Sequence, residues 1–368
     1  MSTAAACMPV APPSRPSPPL RGPPADEEIK HAGGEVDNIA TRIAAGSHAG
    51  EDDGAREVGV LTPRVVVRTV TCRRKVYKEG FAFWRTIGGP DLENLDPFLS
   101  FDEFEFSPPA GFPDHPHRGS ESVTYMLEGR VNYHDFSGHK GTINTGDVQW
   151  MTAGRGVVHA EMPGGDGVQR GINIGINLAS KDKMVEPRYQ DLVSHDIPTA
   201  GDAGGVSVKV IVGECLGVHS PIQPRTSAMC LDVDLRPGAR LRQPVPRGWS
   251  VCAYVIAGEA AFGGGDGGEA STATFLAGAR TLVVFGSDGD GVDVWAEEAP
   301  TTAAVTGARI LLVAAQPHGE AVVQEGTFVM NTQEEVEQAR EDYRHRRNGF
   351  EMADGWTSDH AAAAAAAR

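Results

Sequence analysis

Thiols are few and scattered. The five cysteines, Cys7, Cys72, Cys215, Cys230 and Cys252, form no CxxC pair, which argues against a disulfide framework, a thiolate zinc site and an iron-sulfur cluster. They read as reduced, partly buried thiols of an intracellular protein. No run approaches the roughly 18 apolar residues that cross a bilayer. The first residues also lack the charged and apolar regions of a secretory signal, so a soluble chain with no membrane partner is expected. Bases are outnumbered: 33 Lys and Arg face 49 Asp and Glu, a formal charge of −16, and no basic stripe offsets it. That field repels phosphate backbones, so direct nucleic-acid binding is not expected.

What the chain does have is 45 glycines and 25 prolines among 40% apolar residues, the make-up of many short strands closed by tight turns. The expected class is all-β, and 368 residues suffice for two domains. Up to about Val58 the Pro/Ala/Gly/Asp-rich sequence holds too few large apolar residues to offset the entropy of ordering. Residues 1 to 24 contain no acid, a composition shared by plastid transit peptides and by disordered proline-rich arms; the arm is the preferred reading. From Val65, "VVVRTVTCRRKVY" and "FAFWRTIG" alternate as strands do, followed by "SVTYMLEG", "RVNYHDF", "DVQWMTAG", "GVVHAEM" and "GINIGINL". Near the end, "TQEEVEQAREDYRHRRNG" predicts one helix, with Thr332 as N-cap, Glu335 as its capping-box partner and Gly349 beyond the last turn.

The halves look duplicated. A shift of 129 residues lays "HPHRGSESVTYMLEG" (115 to 129) over "PVPRGWSVCAYVIAG" (244 to 258), matching Arg118 with Arg247, Gly119 with Gly248, Tyr125 with Tyr254 and Gly129 with Gly258. Two β-barrels in tandem follow, with Pro244 and Pro246 standing for His115 and His117 in the second copy. The chain therefore divides into an extension (1–60), a first barrel (61–198), a second barrel (199–330), a helix (331–350) and a disordered tail (351–368).

Residues two apart on a strand point the same way, so His115 and His117 share a face. In "GVVHAEM", His159 and Glu161 do the same. A lone HxH pair is more often coincidence than a metal site; a second pair changes the balance. Together they offer three imidazoles and one carboxylate to a single divalent ion, with positions left for water, substrate or dioxygen. Imidazole suits iron, zinc, copper and nickel; iron(II) is the expected ion, while geometry leaves copper, nickel, manganese and cobalt open for the same cage. Glu121 shares parity with His117 and is expected to orient a ligand imidazole. His134 and His139, near Asp135, read as turn or surface histidines. Phe112, Met126 and Trp150 are candidate pocket walls, although such residues at strand spacing are more often plain core.

HxH, a glycine-ended strand and a second histidine strand form a cupin-like pattern. The stretches "NLDPFLSFDEF", "GFPDHPHRG", "GDVQWMTAGRGVVHAEMP", "KMVEPRYQ" and "FVMNTQEEV" with "NGFE" narrow it, and from about Val65 to Glu351 the chain strongly resembles the pirin family. The resemblance implies two face-to-face cupin barrels, the first holding a metal through His115, His117, His159 and Glu161 and the second holding none. It also implies kinship with flavonol dioxygenases that open quercetin with dioxygen. A rival role follows from the same resemblance: a nuclear transcriptional co-regulator that senses iron redox state, with a transcription factor or a G-protein subunit as partner. As an enzyme, the metal would acidify the flavonol 3-hydroxyl while Glu161 takes its proton. A monomer of cytoplasm and nucleus is expected, with a plastid as the alternative that the leader offers.

Overall fold

The computed structural model describes residues 61–263, 274–298 and 307–361. The extension at 1–60 and the alanine tract at 362–367 lie outside the described residues. Strands dominate, and the long helix is Gln333–Arg344. The first barrel closes from two sheets. The larger runs Arg188–Leu192, Val148–Thr152, Ser120–Glu128, Gln169–Asn177, Phe98–Phe106, Phe81–Ile87 and Lys75–Lys78; the smaller runs Phe112–His117, Val157–Pro163, Arg130–Asp135 and Lys140–Asn144. The second barrel is built on a ten-stranded sheet that includes Ser250–Phe262, Ala308–Ala315 and Ala228–Leu235.

Alternation along each strand sorts residues between two cores. Val123, Tyr125, Trp150, Ile172, Ile174 and Ile176 meet Cys230, Cys252, Tyr254, Leu311 and Val313 in a core between the barrels. Trp150 is thus a pillar between the barrels, not a pocket wall, because it sits on the outer parity of its strand. The expected duplication is repeated in buried polar groups at the same spacing of 129. Tyr125 donates to Asp232 (2.6 Å) and Tyr254 to Glu103 (2.8 Å); each carboxylate also meets an arginine that does not follow that spacing, Arg309 at Asp232 (3.0 Å) and Arg170 at Glu103 (2.8 Å). Each barrel thus lends a phenol to the other's carboxylate, which meets the hydrogen-bond demand of a charge held away from water.

Three boundaries shift. Val66–Thr71, assigned above to the first barrel, pairs instead with Thr281–Phe285 of the second; its period of two announces a strand but not which sheet edge takes it. The helix keeps its capping box, with the Thr332 side chain accepting from Glu335 N at 3.2 Å, yet it ends at Arg344, short of Gly349. The expected disordered tail is ordered at least to residue 361. Ala353 and Trp356 join Phe328, Val336 and Phe350 in an apolar cluster, and Ser358 N donates to Asp114 Oδ2 at 3.1 Å. A short polar segment orders when one large aromatic side chain finds a core to join. The cysteines within the described residues, Cys72, Cys215, Cys230 and Cys252, are free.

Candidate metal centre

Phe112–His117 runs antiparallel to Val157–Pro163, with His115 opposite His159 and His117 opposite Val157. The next pairing is Glu161 with Phe112, so Ala160 on one strand opposes two residues, Asp114 and Pro113, on the other: a β-bulge. Pro113 occupies it at no cost to the ladder, since proline has no N–H to lose. Its carbonyl instead accepts a hydrogen bond from His115 Nδ1 at 2.8 Å, which fixes the tautomer and leaves the Nε2 lone pair of the neutral ring free.

The three imidazoles converge. His115 Nε2 lies 2.9 Å from His117 Nε2 and 3.2 Å from His159 Nε2, and one ring nitrogen of each falls within 4.8 Å of the others. Ligands at about 2.1 Å from an ion stand about 3.0 Å apart when cis at a right angle and about 3.4 Å apart in a tetrahedron. The two spacings of 2.9 and 3.2 Å fall in the range that neighbouring ligands of one ion occupy. Burial lowers the proton affinity of all three rings, well below the ordinary value for His117 and His159, where neighbouring imidazoles add to it, so they are neutral and able to ligate.

Glu161 follows on the same strand face, two residues from His159, and is 7% exposed. Its carboxylate is not part of the three-histidine cluster; Oε1 accepts from Thr124 Oγ1 at 3.1 Å. Burial pushes its pKa to about 7, relieved only by that hydroxyl and by no basic side chain. A buried carboxylate beside three neutral imidazoles therefore needs a proton or a cation.

The other expectations divide. Met126 and Phe112 do wall the inside of the first barrel, packed with Phe104 and Phe106, and the Phe112 ring lies 6.2 Å from that of His115. Glu121 does not orient an imidazole. The chain turns at Gly119 (φ +77), which breaks the parity counted from His117. Glu121 therefore faces the second barrel, accepting from Thr152 Oγ1 (2.7 Å) and from the backbone N–H groups of Arg225 and Thr226 (3.2 and 3.4 Å). His139 is exposed, as expected. His134 is mostly covered by the tail, accepting from Asp359 N at 3.1 Å. In the second barrel, Pro244 and Pro246 point outward, and the inward residues there are Gln243 and Val245, opposite a strand whose inner face carries Val292 and Val294. Among the described residues, that interior gathers an amide and apolar groups where the first gathers histidines.

The sequence reading also missed polar side chains on the inner face of the larger sheet. Thr124 holds Glu161, Asn173 Nδ2 donates to Thr124 Oγ1 at 3.2 Å, and Gln149 and Tyr189 line the same interior. Alternation in "SVTYM" and "DVQWM" was the available signal: a polar residue on the parity that faces a barrel's inside requires a reason.

Two face-to-face barrels with, among the described residues, one converging histidine cluster define a bicupin with a candidate metal site in its first barrel. The family described as Pirin matches residues 80–174, and the Pirin C-terminal cupin domain matches residues 230–349. A tomato (Solanum lycopersicum) pirin-like protein is 50% identical over 296 residues, covering 80% of this chain and 97% of that protein. Human pirin is 45% identical over 294 residues, covering 80% and 97%. Among solved structures, a quercetin 2,3-dioxygenase from Acinetobacter baumannii superposes with a TM-score of 0.67 at 27% identity, covering 77% of this chain and 98% of that one. The chain belongs to the pirin family.

Proposed function

We propose that the protein is a mononuclear iron(II) dioxygenase that opens the ring of a flavonol such as quercetin with O2. The observation that carries this reading is the convergence of three neutral imidazole nitrogens, with a buried, uncompensated carboxylate two residues along the same strand face from His159. His115, His117 and His159 would hold the ion, with Glu161 beside them. The ion supplies a Lewis acid that favours the ionised form of a hydroxyl bound next to it. Glu161, with a proton affinity set near neutrality, accepts the proton of the substrate 3-hydroxyl, and the Thr124 hydroxyl holds the acceptor still. Phe104, Phe106, Phe112 and Met126 keep water from that side of the cluster. The structural likeness to a quercetin 2,3-dioxygenase supports the choice of substrate. The test is oxygen consumption with bleaching of the quercetin absorbance by iron-loaded protein, lost in His159→Ala; an iron-replete wild type that consumes no oxygen overturns the proposal.

A second reading, an iron-dependent co-regulator, is favoured by one contact. The ordered tail grips Asp114, the residue next to His115, through Thr357 Oγ1 (3.3 Å) and Ser358 N (3.1 Å), so a change at the metal reaches an outer surface through one residue. Equal protease resistance of the tail in the metal-free, iron(II) and iron(III) forms would remove that support.

A further inference from the structure

Among the buried polar atoms of the first barrel that lack a partner, two are donors on adjacent strands of the larger sheet, Gln149 Nε2 and Tyr189 Oη. Gln149 is 2% exposed and its Nε2 contacts no acceptor; the Tyr189 hydroxyl is likewise buried and unbonded. Burying a polar group without a partner is costly, so such atoms mark a place where something else completes the bonding.

Both groups stand one side chain away from the metal centre. Gln149 lies opposite Thr124, whose hydroxyl holds Glu161. Its neighbour Trp150 points into the core between the barrels, so by alternation Gln149 and Met151 point inward. Tyr189 lies opposite Met151 and packs on the cluster of Met151, Ala153 and Val157; Val157 is the residue across the ladder from His117. Gln149 and Tyr189 are thus diagonal neighbours on two paired strands, close enough for one small molecule to touch both. The Tyr189 ring is held by stacking on Tyr133, with centroids 6.3 Å apart, and by the ring of His139 at 5.3 Å. Asp135 stands near enough for its charge to act on the phenol, yet the hydroxyl makes no direct hydrogen bond to it; the Asp135 carboxylate accepts instead from Ser137 N (2.9 Å), Ser137 Oγ (2.8 Å) and His139 N (2.9 Å). Negative charge on Asp135, Glu161 and Asp191, added to burial, keeps Tyr189 protonated and so a donor.

We infer that Gln149 Nε2 and Tyr189 Oη are specificity-determining donors, placed to hold two acceptor oxygens of a planar, polyoxygenated ligand whose acidic hydroxyl faces Glu161. This rests on the flavonol reading and names the side chains that would select within it. An apolar ring of the same size leaves both donors unsatisfied, whereas a carbonyl or phenolic oxygen at each position completes them, so discrimination comes from the penalty on the wrong ligand.

The test is an anaerobic titration of iron(II)-loaded protein with quercetin and, separately, with catechol, which chelates iron but is too small to span from the metal to both donors. Neither atom makes a direct hydrogen bond that the substitution would break, so Tyr189→Phe and Gln149→Met should retain wild-type iron content and melt no lower than wild type. The expected result is about tenfold weaker quercetin binding for each variant, equivalent to about 1.4 kcal/mol, with catechol binding unchanged. Quercetin binding equal to wild type in both variants overturns the inference while leaving the flavonol reading in place. Equal weakening for quercetin and catechol also overturns it, because the residues would then act through the iron. An iron-replete wild type that binds catechol but not quercetin overturns both.

Discussion

Replacing Glu161 with Gln should make the metal-free protein more stable at alkaline pH while impairing its chemistry. The carboxyl is buried and its pKa rises from 4.5 to about 7. Below pH 4.5 the group is protonated both folded and unfolded, and the variant gains nothing. Between 4.5 and 7 the unfolded chain releases the proton that the folded chain still holds, so wild-type stability falls as pH rises. Above 7 the folded state carries a bare buried charge, at a cost of roughly 3 kcal/mol on the scale of 1.36 kcal/mol per pKa unit. Glutamine keeps an oxygen for Thr124 and removes the charge. In chelator-treated protein the variant should therefore melt about 5 °C higher at pH 8, and the gap should close as pH falls to 4.5. Iron(II) should reverse the order, because a cation compensates the carboxylate and not the amide. Parallel melting curves for wild type and variant across that pH range would refute the reasoning, as would a gap that widens at low pH.

Three further outcomes follow from the same physical picture. His115→Ala should lower bound iron well below one per chain by elemental analysis and abolish the metal-induced rise in melting temperature, since that rise reports binding to the folded state alone. Arg118→Met should cost about 1.5–3 kcal/mol in urea unfolding, because Asp342 loses an almost fully buried partner at 3.0 Å while it keeps Arg347 at 3.0 Å, and the Arg155 carbonyl loses its donor at 2.6 Å. Tyr254→Phe and Tyr125→Phe should each cost about 1.5–3 kcal/mol by the same assay, the range for a hydrogen bond to a charged group, and by similar amounts, since each phenol serves the other barrel's carboxylate in the same way.

Period and punctuation were legible in the sequence. Strand alternation, the turn glycines Gly119, Gly129, Gly248 and Gly258, and the Thr332 capping box all stand where a local rule acting over two to four residues puts them. So do the shared faces of His115 with His117 and of His159 with Glu161, which the HxH and HxE spacings fix, whereas the register that sets His115 opposite His159 is a property of the fold. Partner choice was less legible. Nothing within Val66–Thr71 tells which barrel's edge it will join, and nothing within residues 351–361 announces that Trp356 will find Phe350 and Phe328. Glu121 failed for a related reason: parity carries across a strand but not across a left-handed glycine.

The two barrels differ in register by one residue ahead of the turn glycine, and in the side chains that this register brings inward. Counted back from the turn glycine, the last inward side chain in the first barrel is His117, two residues before Gly119; in the second it is Val245, three residues before Gly248. A shift of 129 aligns the glycines and the tyrosines beyond them, and so sets Pro244 and Pro246 against the histidines. On the upstream strand the true offset is 128, which turns those prolines out to solvent and brings Gln243 and Val245 inward. A slip of one residue exchanges the two faces of a strand. Two substitutions at the proline positions would therefore leave any new imidazoles outside the barrel, and a donor set like the first would need histidines at 243, 245 and 292. The metal site is thus a property of register as much as of residue type. A duplicated barrel can lose its site by gaining one residue in a turn, without changing the pattern by which its sequence is recognised.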